Sequence, residues 1–204
     1  MQINIALLSV ISIILANTLI AEAAIPPFKD QCMKWHNEYR NKHQADSVKW
    51  SDTLAKEAED WANYLANENK FEHKGAGENL YISGKPTPEE PCTEATQLFY
   101  GEVKDYDFSK PGFSGETGHF TQLVWKNTKE MGAAQVPRKD GRLIIVIRYS
   151  PAGNLDTTNA FKENVLPEGQ KAQNADNGGI GPVRSSISFI VFVVATGVVV
   201  KSFF

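Results

Sequence analysis

Apolar residues in this chain recur at helical spacing twice before they recur at strand spacing. Phe28, Cys32, Trp35 and Tyr39 fall at i, i+4, i+7 and i+11 after Pro26-Pro27, the positions of one helix face. Leu54, Ala58, Trp61 and Leu65 repeat that spacing, with Ser51 placed to cap the helix. Gly75, Gly77, Gly84, Pro86, Pro88 and Pro91 then predict irregular chain. A third helix is predicted over residues 93–106, burying Leu98, Phe99, Val103 and Tyr106 and broken by Lys110-Pro111-Gly112. Residues 131–136 and 142–149 read as strands joined by a turn at Asp140-Gly141, and the unbroken apolar run 143–147 suits a central strand. Beyond Pro151 the chain is polar and loop-rich. Helices of this kind followed by a hairpin predict an α+β domain.

The two ends read differently from the middle. Residues 1–20 carry no charge and are almost wholly apolar, and Ala21-Glu22-Ala23 offers the small-x-small pattern of a signal-peptidase site. A signal peptide over residues 1–23 is expected, with a retained anchor helix as the alternative. At the other end, residues 187–204 form a hydrophobic tail whose apolar run, 187–200, is short for a membrane span. The polar linker 168–186 holds small residues, and Asn177 precedes the tail by about the 8–12 residues expected for a glycosylphosphatidylinositol site. Membrane attachment through a C-terminal lipid anchor is the expectation, and a short tail-anchor helix is its rival. The folded domain is thereby placed at residues 24–167.

The 204 residues carry a net charge of −3, which becomes −4 once Glu22, Arg184 and Lys201 leave with the two ends. No basic stripe is present, so nucleic acid is not an expected partner. The chain has two cysteines, Cys32 and Cys92, which permit one disulfide in an exported protein and exclude a four-cysteine zinc site.

Four histidines remain as candidate chemistry. His36 and His43 lie seven apart in the first helix region and read as polar helix surface or a helix-end hydrogen bond. His73 precedes Glu78 by five residues across glycines that let the chain double back and bring imidazole to carboxylate. Glu102 falls among Leu98, Phe99 and Tyr106 on an apolar helix face, where a carboxylate needs a partner. With His119, these residues would suit a divalent ion or a metal-bound water and its base.

The segment Gly118-His119-Phe120-Thr121-Gln122-Leu123-Val124-Trp125-Lys126-Asn127-Thr128 resembles the signature of the CAP superfamily: cysteine-rich secretory, antigen 5 and pathogenesis-related proteins. His36-Asn37-Glu38-Tyr39-Arg40, Gly77-Glu78-Asn79-Leu80 and Arg148-Tyr149-Ser150-Pro151-Ala152-Gly153-Asn154 agree with it in order. Tyr106-Asp107-Phe108 with Pro111-Gly112-Phe113, and Glu163-Asn164-Val165-Leu166-Pro167, look most like the Golgi-associated pathogenesis-related branch. The resemblance covers roughly residues 28–167. It implies a three-layer α-β-α sandwich and a cleft lined by His73, Glu78, Glu102 and His119, with His73 and His119 as the ligands of a divalent metal such as Zn2+. His36 is not one of the family's four.

This chain departs from the family in two respects. Ile147 stands where the second signature usually carries a cysteine, and the several disulfides of most secreted members cannot form. The Golgi-associated branch is intracellular and begins Met-Gly, whereas this chain begins Met1-Gln2 and has the features of a signal peptide. The reading is a Golgi-type domain exported to the cell exterior or its outer surface. The function implied is a non-enzymatic module that binds a lipid or sterol beside a metal-competent cleft, with the irregular residues 81–90 either flanking the groove or serving as a plain connecting loop. Two other readings stay open: a zinc-dependent hydrolase in which Glu78 or Glu102 activates water, and a scaffolding polar network that acts on nothing. No zinc-protease helix motif and no Gly-x-Ser-x-Gly elbow occurs. A homodimer is allowed by the branch it resembles.

Overall fold

A computed structural model describes residues 25–169 apart from 156 and 158. The expected signal peptide, the Asn177 attachment site and the hydrophobic tail lie outside the described residues. Helix α1 spans Phe28–Lys42, and α2 spans Asp52–Asn67 behind the short strand β1, Lys49–Trp50. Both follow the apolar spacing, and Ser51 Oγ accepts a hydrogen bond from the Leu54 amide, satisfying one orphan donor of the first turn. Strand β2 runs over Glu78–Pro86 and helix α3 over Pro91–Gly101, continued by a 3-10 turn at Glu102–Asp105. Helix α4 covers Gly118–Val124, strands β3 and β4 cover Glu130–Pro137 and Arg142–Ser150, and a last short helix, α5, covers Ala160–Asn164.

The four strands lie in the order β1-β3-β4-β2. β1 runs parallel to β3, and β4 pairs antiparallel with both β3 and β2. β4 is buried on both faces, which is why it reads as an unbroken apolar run. Ile144 and Val146 join Leu80 of β2 against Ala58, Ala62 and Leu65 of α2. Ile145, Ile147 and Tyr149, the alternate residues, face the opposite layer with Cys32, Phe99, Phe120 and Leu123. One sheet between α2 and the group α1, α3 and α4 is the three-layer α-β-α sandwich expected of the sequence. Contact between α2 and β3 needs Gly132: a Cβ there would stand 2.1 Å from the Ala55 amide nitrogen.

Two ties hold the three-helix layer. Cys32 and Cys92 form a disulfide that joins α1 to α3. Arg40, fully buried, donates to the carbonyls of Asp46, Leu123, Trp125 and Thr128, and so fastens the C-terminal end of α4 to α1. Burial lowers its pKa to about 10, against the raising effect of Tyr149 and Asp46, and it is still protonated at neutral pH.

Several expectations are corrected here. The stretch expected to be irregular contains strand β2, because glycine and proline are tolerated where a strand pairs on one side only. The third helix begins at Pro91 and tightens after Gly101, so Glu102 lies on a 3-10 turn. Leu98 is exposed, since the buried stripe of α3 is Cys92, Ala95, Thr96 and Phe99. His36 and His43 are fully buried, not helix surface. The segment flanking the proposed lipid groove is strand as far as Pro86, and the hollow beside its end is lined by Lys85, Glu89, Glu90 and Glu94, a charged surface unsuited to lipid.

Candidate functional site

His73 lies in the loop between α2 and β2, with its side chain 56% exposed. The chain doubles back at Gly77, whose φ of +73° and contact with the Tyr149 carbonyl leave no room for a Cβ. That turn delivers the Glu78 carboxylate 2.9 Å from His73 Nδ1. Glu78 is wholly buried and is saturated with donors. Its Oε1 also accepts the Lys74 amide at 3.1 Å, and its Oε2 accepts Arg148 Nη1 at 2.8 Å. The Arg148 guanidinium supplies the countercharge that a buried carboxylate needs.

His119 comes from the opposite layer, on the first turn of α4. Its Nδ1 lies 2.6 Å from Glu102 Oε1, and its ring stacks on Phe99 with centroids 4.7 Å apart. Glu102 Oε2 accepts the Phe120 amide at 3.0 Å, an amide at the helix N-terminus, where a carboxylate also meets the favourable end of the helix dipole. The partner that Glu102 needs is therefore supplied by one histidine and one helix end.

A hollow of about 310 Å3 joins the two layers, lined by His73, Glu78, Asn79, Phe113, His119 and Gln122 together with glycine backbone. The four residues singled out by sequence are thus arranged as two histidine–glutamate pairs, with Glu102 reaching the hollow through His119. In both pairs the carboxylate can only accept, so Nδ1 carries the proton and Nε2 carries the lone pair. Among the described residues neither Nε2 has a hydrogen-bond partner. A carboxylate holding the distal N–H of an imidazole is the arrangement that orients histidine ligands of metals. The donor set suits a divalent ion held through two nitrogens. Among the described residues, no group of three or more His, Cys, Asp or Glu is arranged around one metal position.

The buried histidines are wired differently. His36 Nδ1 donates to the Cys32 carbonyl at 2.8 Å, and its Nε2 accepts the Tyr149 hydroxyl at 2.7 Å. Burial lowers the His36 pKa to about 4 and pushes that of Tyr149 up. His43 Nδ1 lies 2.6 Å from the Leu166 carbonyl and Nε2 3.3 Å from the Tyr100 hydroxyl, and burial lowers its pKa. Sequence reasoning assigned no role to Arg148 or Asn79, although both stand inside quoted motifs. Phe113, 59% exposed at the rim, likewise stands inside a quoted motif, Pro111-Gly112-Phe113, and was given no role.

This sandwich, with His73 of the α2–β2 loop and His119 of α4 lining one hollow, defines the class, and comparison with known proteins agrees. The cysteine-rich secretory protein family (CAP) matches residues 33–149. The chain belongs to that family. Golgi-associated plant pathogenesis-related protein 1 of Homo sapiens is 38% identical over 154 residues, covering 72% of this chain and 98% of that protein. Protein PRY2 of Saccharomyces cerevisiae is 37% identical, and the match spans 69% of this chain but 41% of that longer protein. Among solved structures, NaASP2 with Zn2+ superposes with a TM-score of 0.54 at 20% identity, covering 73% of this chain and 90% of that one, a likeness of fold. Among the described residues, no helix is long and apolar enough to cross a membrane.

Proposed function

We propose that this is an exported, non-enzymatic binding module whose cleft takes a divalent cation such as Zn2+ between His73 and His119. One observation carries the reading: both rings face the cleft with Nδ1 tied to a glutamate and Nε2 without a partner. The glutamates fix the tautomer and make each ring a better donor. A bound ion supplies Lewis acidity and positive charge to whatever enters the cleft. The solved structure of NaASP2 with Zn2+ supports the choice of metal. Family names that refer to secretion and to venom, together with the apolar N-terminus, support export. Attachment to the outer membrane surface through the C-terminal tail belongs to the same proposal, as does homodimer formation.

A lipid or sterol-like ligand is assigned to the cleft rim, where Phe113 is the exposed apolar side chain. The hydrolase reading is less well supported. Glu78 has three donors on its two oxygens, an arginine among them, and Glu102 is engaged by a ring and a helix amide. Neither carboxylate is left poised as a general base.

Calorimetric titration of the chain with zinc, beside the His73→Ala/His119→Ala double variant, tests the proposal. One site in the parent and none in the still-folded variant is the expected result. Absence of zinc binding by the parent would leave the four residues as scaffold. Retention of a fluorescent sterol, compared between the parent and Phe113→Glu, tests the lipid assignment.

A further inference from the structure

His73 and His119 belong to different layers of the sandwich, yet consecutive residues of one strand reach both. Glu78 of β2 holds the His73 ring, and the next residue, Asn79, turns to the opposite face of the sheet. There its Nδ2 donates to the main-chain carbonyl of His119 at 3.1 Å and to the Tyr149 hydroxyl at 3.3 Å. On β4, Arg148 stands opposite Glu78, while Asn79 stands opposite Ile147 and reaches diagonally to Tyr149 on the same face.

The opposite-face chain is buried and its proton directions are fixed throughout. Asn79 is 1% exposed, Tyr149 4% and His36 0%. The amide spends both its protons, one on His119 O and one on the tyrosine oxygen. Tyr149 passes its proton to His36 Nε2, and His36 Nδ1–H ends the chain on the Cys32 carbonyl. Reversing any link would leave two lone pairs or two protons facing each other in a dry interior. The low pKa of His36 is consistent with this neutral wiring.

Helix α4, which carries His119, has seven residues, too few to be stable alone. Arg40 fastens its far end, and its first turn is placed by Asn79, by Glu102 and by Asn154, which donates to the Gly118 carbonyl and accepts from Thr121. We infer that Asn79, Tyr149 and His36 form a positioning relay that sets where His119 stands relative to His73, and therefore whether both rings can share one ligand. The inference rests on the two-histidine reading of the cleft, but the relay also has a readout that needs no metal.

The test uses the full chain and the variants Asn79→Leu and Tyr149→Phe, each checked for unchanged circular dichroism and an intact Cys32–Cys92 bridge. Imidazole 15N shifts at pH 8 are expected to show the Nδ1–H tautomer at both cleft histidines of the parent. In Asn79→Leu, His119 should move toward the Nε2–H tautomer while His73 stays, and zinc affinity should fall by about 10-fold. Tyr149→Phe, which keeps the Asn79–His119 bond, should shift both readouts in the same direction by a smaller amount. If Asn79→Leu does not fold, Tyr149→Phe decides by the same two readouts. His119 and zinc affinity unchanged in a folded variant would overturn the relay, as would equal displacement of His73, which indicates general loosening. A parent that binds no zinc would remove the metal reading, and the tautomer comparison would still decide the relay.

Discussion

The core histidines and the cleft histidines of this protein differ in how many ring nitrogens the fold consumes. His36 and His43 are fully buried and have both nitrogens engaged, by carbonyls and hydroxyls. His73 and His119 are partly exposed, with side chains 56% and 31% accessible, and each gives one nitrogen to a carboxylate. A ring used on both sides works as a cross-brace, whereas a ring used on one side presents a lone pair. Exposure alone does not separate the two roles, because an exposed imidazole without an orienting carboxylate is only a mobile surface group. The carboxylate on the inner nitrogen makes the outer one a defined ligand.

The largest expected difference is in stability. His36→Ala deletes a buried ring and strands the Cys32 carbonyl and Tyr149 hydroxyl, a loss of about 3 kcal/mol in denaturant unfolding. His73→Ala should stay within about 0.5 kcal/mol, as a surface change does. Equal losses would erase the distinction between brace and ligand. Acid should reveal the same contrast. The folded-state pKa of His36, about 4, lies below the unfolded value of 6.5, so between those limits the unfolded chain binds the extra proton. The associated stability is present above pH 6.5 and is lost as pH falls toward 4, amounting to about 3 kcal/mol. The lowered pKa of His43 acts in the same direction. Subtracting the profile of His36→Gln from that of the parent isolates the His36 share.

Zinc sharpens the comparison from the other side. At a free concentration of about 100 times Kd it should add about 2.7 kcal/mol to the unfolding free energy, and a chelator should remove the gain. His73→Ala/His119→Ala should show no such gain, whereas His36→Gln should keep most of it. The smallest expected effect comes from the orienting carboxylates. Glu102→Gln should weaken zinc by about 10-fold, or about 1.4 kcal/mol, in calorimetry.

Much of this division was legible in the sequence, though not all of it. The apolar spacing located α1 and α2, and the hairpin of β3 and β4 followed from its strand-like apolar runs and its Asp140-Gly141 turn. Gly75 and Gly77 pointed to the fold-back that pairs His73 with Glu78. Strand β2 was hidden because its identity comes from the ladder with β4, a tertiary partner, while its own glycine and proline content argues for a loop. The burial of His36 did carry a signal: it lies four residues after Cys32 on the face of α1 that contains Tyr39. A polar residue on an apolar stripe calls for a buried partner, and that partner, Tyr149, is 113 residues away. The same distance problem hid Arg148 and Asn79, whose roles depend on strand register.

The most direct test of the two-histidine cleft is X-ray absorption spectroscopy of the zinc-loaded chain. The account predicts two imidazole nitrogens at about 2.0–2.1 Å, completed by oxygen donors, and loss of the imidazole scattering in His73→Ala/His119→Ala. A spectrum without imidazole, or one unchanged in that variant, would contradict it.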